Sequence, residues 1–175
     1  MEFDELVKIR RSCRSYSEAR ISEDEIKEII TTAQLAPSWK NTQTGRYYVS
    51  LSDEAISGVF DALPEYNQRS SKNAAYIVTT FVTKLSGKAT DGSMAEEGDL
   101  WGAYDLGLQN MLLMLKASEL GYDTLVMGIR DAQALRKCFA IPKEEQIMSV
   151  ISIGRKNGEL GVRPRKQLDE ILRIK

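Results

Sequence analysis

The hydrophobic positions of this chain fall into short stretches whose period switches between that of a helix and that of a strand. Phe3, Leu6 and Val7 stand at i, i+3 and i+4, which predicts an amphipathic helix over 3–9 running into RRSCRSY. Ser22 and Glu25 have the spacing of a capping box, and Ile26, Ile29, Ile30 and Ala33 continue on one face of the helix it opens. That helix is expected to stop near Ala36, because Pro37 disfavours helical geometry in the residue before it. RYYVSL (46–51) has strand composition. Ser52 then caps a helix carrying Ile56, Val59, Phe60 and Leu63, closed by Pro64. AAYIVTTFVT (74–83) is nearly continuously apolar or β-branched, the pattern of a strand covered on both faces.

After a polar loop over 84–98, long enough to be functional or mobile, comes the longest helical pattern, residues 99–120, stopped by Gly121. At 1.5 Å per residue it would span about 33 Å. Its apolar residues go most of the way round, so it is expected to be buried on most sides, with a second subunit as one covering layer. DTLVMGI (123–129) reads as a strand, Asp131 opens a helix with Leu135, Cys138 and Phe139, and IMSVISIG (147–154) is a final interior strand. There are no internal repeats and no linker, so residues 1–175 are expected to form one domain with helices flanking a central sheet.

Composition narrows the chemistry. The chain has 175 residues, a formal charge of −1 and no histidine. Lacking histidine, it cannot form a Ser-His or Cys-His nucleophile, and it lacks the commonest zinc ligand. Cys13 and Cys138 provide neither a disulfide framework nor a metal-ligand spacing, so no metal is expected and a reduced, cytoplasmic setting is inferred. Glu96, Glu97 and Asp99 fall in a Gly-rich polar stretch and read as solvated charges. No side chain is therefore put forward as catalytic, and the hard chemistry of an enzyme would come from a cofactor. The charge balance argues against nucleic acid, and no apolar run or signal-like start points to a membrane.

The basic residues, however, are unevenly placed. Lys8, Arg10, Arg11 and Arg14 form an acid-free cluster, and residues 155–175 hold seven basic residues against three acids. Without a GxGxxG or Walker loop, a phosphate would be held by arginine forks. Arg10 and Arg14, at i and i+4, would share a face with Ser12 nearby if the helix continued through them. The stretch APSWKNTQTGRYYV (36–49) taken alone is an ordinary solvated loop. Set between two basic ends, its Asn41 and Gln43 carry the donors and acceptors that suit a ring edge or ribityl hydroxyls.

RRSCRSY (10–16), APSWKNTQ (36–43), ELGYDTLVMG (119–128), FAIPKEEQIMSVISIG (139–154) and RPRKQLDEIL (163–172) occur in the order and spacing of the FMN-dependent nitroreductase family, which the chain resembles over nearly its whole length. The resemblance implies an α+β fold, a three-layer α/β/α sandwich with helices on both faces of a central mixed sheet, assembled as an intertwined homodimer with FMN at the subunit interface. It implies Arg10, Arg11, Ser12 and Arg14 at the phosphate and ring edge, and Pro37, Ser38, Trp39, Asn41 and Gln43 along the flavin. Asn67 falls near the pyrimidine edge, Met127 and Gly128 in the turn after the third strand, and Arg165 with Arg163 back at the phosphate.

The activity it implies is NADH or NADPH reducing a small electron-poor acceptor, a nitroaromatic or quinone, through flavin N5. Enone reduction, dehalogenation, free-flavin reduction or non-catalytic flavin binding on the same scaffold are the alternatives. Two departures bear on the acceptor. Thr44-Gly45 follow the loop glutamine where members commonly have Pro-Trp, and Trp39 stands where a small residue is frequent. The 84–98 loop is the candidate lid.

Overall fold

The first amphipathic segment folds as α1 (Phe3–Ile9), and the Ser22 capping box opens α2 (Glu23–Ala33) with both reciprocal bonds formed. The computed structural model describes residues 2–175. A tight turn at Trp39–Asn41 leads into β1 (Gly45–Ser50). Ser52 caps α3 (Asp53–Asp61), which is followed by α4 (Glu65–Ser71), β2 (Ala75–Val82), α5 (Leu100–Glu119) and β3 (Asp123–Met127). Asp131 caps α6 (Ala132–Phe139), then come β4 (Glu145–Gly154) and a single turn, α7 (Leu168–Ile171). Periodicity revealed neither the single turn α7 nor the longer α4. Its sequence EYNQRSS has no apolar stripe, and it packs through small polar groups: the Ser71 hydroxyl donates to the Asn67 carbonyl, and the Tyr76 hydroxyl donates to the Ser71 carbonyl.

The sheet runs in the order β1-β2-β4-β3 with every neighbouring pair antiparallel. The mixed character expected of it is confined to one isolated parallel bridge, Ser12–Thr124, outside β3. Helices cover both faces, giving the three layers. Alternation along β2 sends Tyr76 and Val78 into a core with α3 and α6, and Ile77 into the opposite core with α2 and α5. That two-sided burial is why the 74–83 run is apolar almost throughout. A register shift between Thr79 and Thr80 lets Ile147 and Val150 of β4 reach the same face despite their opposite parity.

α5 approaches β2 closely because residue 102 is glycine; a Cβ there would lie 2.4 Å from the Phe81 ring. Its inner side buries Leu106, Leu113 and Ala117, whereas Leu100 (69% exposed), Tyr104 (60%), Gly107 and Met111 form an open stripe at helical spacing. Leu115, by contrast, is buried within the chain. Among the described residues no helix is long and apolar enough to cross a membrane.

Candidate functional site

Helix α1 stops at Ile9, and Arg10 already has extended geometry (φ −60°, ψ 118°). The helical i,i+4 placement of Arg10 and Arg14 is therefore corrected. Extended backbone nevertheless delivers the same grouping, because residues two apart in a strand share a face. Arg10, Ser12 and Arg14 line a cavity of about 500 Å³, while Cys13 turns inward and is fully buried. The segment is pinned as an extra edge. The Cys13 N–H donates to the Thr124 carbonyl (2.9 Å), the Ser17 N–H to the Arg155 carbonyl (2.9 Å) and the Asn157 N–H to the Ser15 carbonyl (2.9 Å). The chain leaving β4 returns over the same cavity with Arg163 and Arg165, and Arg11 completes the set.

Five guanidinium groups thus surround one cavity whose only acidic lining residue is Glu159. Among the described residues none of the five forms an ion pair. Their side-chain bonds go to carbonyls of their own segments: Arg11 to Arg10 (3.0 Å), Arg14 to Ser12 (3.3 Å) and Arg165 to Arg163 (3.5 Å). Burial, then the proximity of Arg11 and Arg165, pushes the Arg10 pKa down. Like charges gathered without counter-charge are unfavourable unless an anion joins them, and arginine forks match phosphate oxygens two at a time. The chemistry of such a cradle suits a phosphate group.

The loop preceding β1 is built differently. Lys40, Asn41 and Gln43 all have positive φ (46°, 58° and 48°), a conformation that side chains other than glycine adopt at a cost. Specific bonds hold it there. Ser38 Oγ accepts from the Gln43 N–H (3.0 Å), Asp105 Oδ2 accepts from the Trp39 N–H (3.0 Å), and the Val82 N–H donates to the Thr44 carbonyl (3.0 Å). The Trp39 indole N–H donates to the Lys88 carbonyl (2.8 Å), its ring lies 4.8 Å from that of Trp101, and Lys40 Nζ donates to Thr90 Oγ1 (3.0 Å). Residues 84–98 are accordingly fastened onto this loop. Gly45 also has its reason: a Cβ there would sit 1.9 Å from Gln109 Oε1, which accepts a hydrogen bond from the Tyr47 hydroxyl. The space that a tryptophan at 45 would need is taken by that carboxamide.

Asn67 is nearly buried on α4, and its Nδ2 donates to the Ile129 carbonyl (3.0 Å), so it braces the turn after β3. Gly128 lies in that turn and its carbonyl accepts from Arg130. The Met127 side chain is committed to the core beside Val59 and Leu135, leaving only its backbone to offer a ligand. Pro37 and Ser38 precede the Trp39 turn. Reading the sequence missed Asp105 and Ser86. The signal was present in Asp105, a lone acid inside an otherwise apolar stretch of helix.

The two groups of residues do not meet within one chain. The arginine cradle lies outside β3 and the 37–43 loop feeds β1, at opposite edges of the sheet and so four strand spacings, about 19 Å, apart across it. The cavity at the cradle takes no residue from the loop, and the 770 Å³ cavity beside β1, lined in part by Gln43 and Gln109, takes none from the cradle.

A sequence model described as "Nitroreductase: Nitroreductase family" matches residues 7–155. The chain is 29% identical to a candidate NADH dehydrogenase/NAD(P)H nitroreductase of Archaeoglobus fulgidus, the match covering 85% of this chain and 82% of that protein. It is likewise 29% identical to a candidate NAD(P)H nitroreductase of Bacillus subtilis, YdgI, covering 88% of each. Among solved structures, a candidate nitroreductase from Exiguobacterium sibiricum in complex with FMN superposes with a TM-score of 0.87 at 25% identity, covering 100% of this chain and 98% of that one.

Proposed function

The chain belongs to the nitroreductase family, and from that premise we propose that it is an FMN-dependent oxidoreductase, fed by NADH or NADPH, that reduces a small electron-poor acceptor such as a nitroaromatic or a quinone. The observation that carries this reading is the arginine cradle: five guanidinium groups around one cavity with no ion pair among the described residues. The FMN complex of the Exiguobacterium relative and the NAD(P)H in its relatives' names support the cofactor and the electron donor. Bound FMN would supply the redox centre, taking hydride from the nicotinamide and passing it to the acceptor in two half-reactions at one site.

The residues of the chain bind and orient. Arg10, Arg11, Arg14, Arg163 and Arg165 would hold the phosphate dianion, each charged contact contributing about 1.5–3 kcal/mol. Ser38, Asn41 and Gln43 would present hydroxyl and amide groups to the ring from backbone already fixed in shape, so little ordering is left to do on binding. With cradle and loop at opposite sheet edges, a homodimer is the arrangement we infer, one copy lending its loop to its partner's cradle. The exposed stripe Leu100, Tyr104 and Met111 on α5, the exposed Phe3 and Val7 of α1, and the exposed Leu168, Ile171 and Ile174 of the tail support that assembly.

The test is the absorption spectrum of the purified protein, then anaerobic titration with NADH and NADPH, then reoxidation by nitroaromatics and quinones. Flavin bleached by a nicotinamide and restored by acceptor is the expected result. A protein without flavin, or with flavin that neither nicotinamide reduces, would overturn the reading.

A further inference from the structure

Asp105 is a buried carboxylate, 2% exposed, in the middle of α5, and among the described residues no cation pairs with it. An unpaired acid in such a place is expensive, and an apolar residue of similar volume would stabilise the helix better. What the carboxylate does instead is visible in its partners. One oxygen, Oδ2, accepts two hydrogen bonds from two different segments: the Trp39 backbone N–H at 3.0 Å and the Ser86 hydroxyl at 2.5 Å. Ser86 Oγ in turn lies 3.0 Å from Thr42 Oγ1, so the bonds close a ring through α5, the 38–44 loop and the start of the 84–98 loop. The ring encloses Lys40 and Asn41, two of the three loop residues held at positive φ, with Gln43 directly after it, and charged acceptors make the strongest of such bonds.

We propose that Asp105 is the positioning residue of the ring-binding loop, locking the 38–44 and 84–98 segments into one unit on α5 so that Asn41 and Gln43 are presented to the isoalloxazine in a fixed shape. This rests on the flavin reading above. Asp105 touches neither the cradle nor, by its burial, any ligand. It acts through the Trp39 amide and Ser86. Packing alone would not require an acceptor at this point, and the Trp39 N–H that it satisfies has no other partner among the described residues.

The test uses the full-length protein with Asp105→Ala, Asp105→Asn and Ser86→Ala, read by amide hydrogen exchange without flavin, by affinity for FMN and for riboflavin, and by visible circular dichroism of the bound flavin. Asp105→Ala should accelerate exchange in residues 38–44 and 84–98 together. It should weaken FMN and riboflavin by one common factor of about tenfold, the scale of one lost hydrogen bond to a charged group, and change the visible dichroism. Asp105→Asn keeps an oxygen acceptor and should recover most of the affinity and the spectrum. Ser86→Ala should loosen both loops, by less than Asp105→Ala does, and add nothing in the Asp105→Ala background.

Faster exchange in only one of the loops, or unchanged affinity and dichroism per folded molecule, would overturn the proposal. So would a loss confined to FMN. If Asp105→Ala does not fold, Asp105→Asn and Ser86→Ala carry the same comparison. A wild-type protein that binds no flavin would refute the flavin reading itself, while the coupled exchange of the two loops would still report on the lock.

Discussion

The arginine cradle and the 37–44 loop are two halves of one inferred site, built on opposite physical plans. In the cradle, charge is assembled and left uncompensated: extended backbone and an exposed tail bring five guanidinium groups to one cavity, and their side-chain bonds are to nearby carbonyls. In the loop, almost no charge is present, but the shape is over-determined by positive φ angles, the Ser38 hydroxyl bond to Gln43, a buried carboxylate and a tilted pair of indoles. A dianion is recognised by field and by forks that can swing to meet it, so donors on flexible arms suffice. A ring edge is recognised by the direction of a few amide groups, and direction requires rigidity. The difference predicts that the halves fail differently.

The largest effect is expected from Met111→Glu on the open stripe of α5. If the loop reaches its partner's cradle only in a dimer, the variant should scatter light as a folded monomer, lose riboflavin altogether and keep only a weak, salt-sensitive affinity for FMN. A flavin-loaded monomer would break the two-copy arrangement. Leu115→Glu is not an equivalent probe, because Leu115 is buried within its own chain and the charge would unfold it.

Next in size is the cradle itself. Arg14→Ala or Arg165→Ala should each cost about 1.5–3 kcal/mol of FMN affinity, about 10- to 150-fold, with little loss for riboflavin, which has no phosphate. Equal losses for both flavins by fluorescence titration would reassign those arginines. The FMN loss should also shrink as salt is raised.

Trp39→Ala should have a smaller and more selective effect. Its ring contact with Trp101 and its bond to Lys88 hold residues 84–98 down; an aromatic pair of this kind is worth about 0.5–1.5 kcal/mol beyond its burial. Flavin content should stay near that of wild type, while the ranking of nitroaromatic and quinone acceptors changes in stopped-flow reoxidation. One common slowing for every acceptor would make the residue purely structural.

The smallest effect is the control. Ser22→Ala removes the cap of α2 and should lower stability by about 1 kcal/mol without altering affinity for either flavin. The Ser22 bonds also hold the Glu25 pKa below its ordinary value. Their contribution is therefore complete above the unfolded carboxyl pKa and is lost as pH falls through the folded one. Denaturant melts of wild type and Ser22→Ala should accordingly draw closer in acid, leaving the part due to the Glu25 N–H bond, which does not titrate.

Much of the molecule was legible in its residues. Periodicity located α1, α2, α3, α5, α6 and the four strands to within a few residues, because burial on one face and backbone pairing are local demands that each segment must meet by itself. The capping serines and Asp131 marked helix starts for the same reason: the first N–H groups of a helix need acceptors wherever the helix sits. The grouping of Arg10, Ser12 and Arg14 survived even a change from helical to extended geometry, since a spacing of two and four residues repeats in a strand as well. The family motifs, too, are local strings.

Tertiary structure decided everything that depends on distance between segments. No property of residues 10–14 or 37–43 alone says that they stand at opposite sheet edges; strand order does, and it is set by pairing between residues far apart in the chain. The same holds for Met127 turning into the core, for Gly45 yielding its place to the Gln109 carboxamide, and for polar α4 packing without an apolar stripe. Asp105 is the sharpest case: sequence shows an acid in an apolar helix, and only the fold brings the Trp39 amide and the Ser86 hydroxyl to the same oxygen. Local chemistry selects what each segment can be, but hydrogen-bond partners of buried groups are chosen by the whole chain at once.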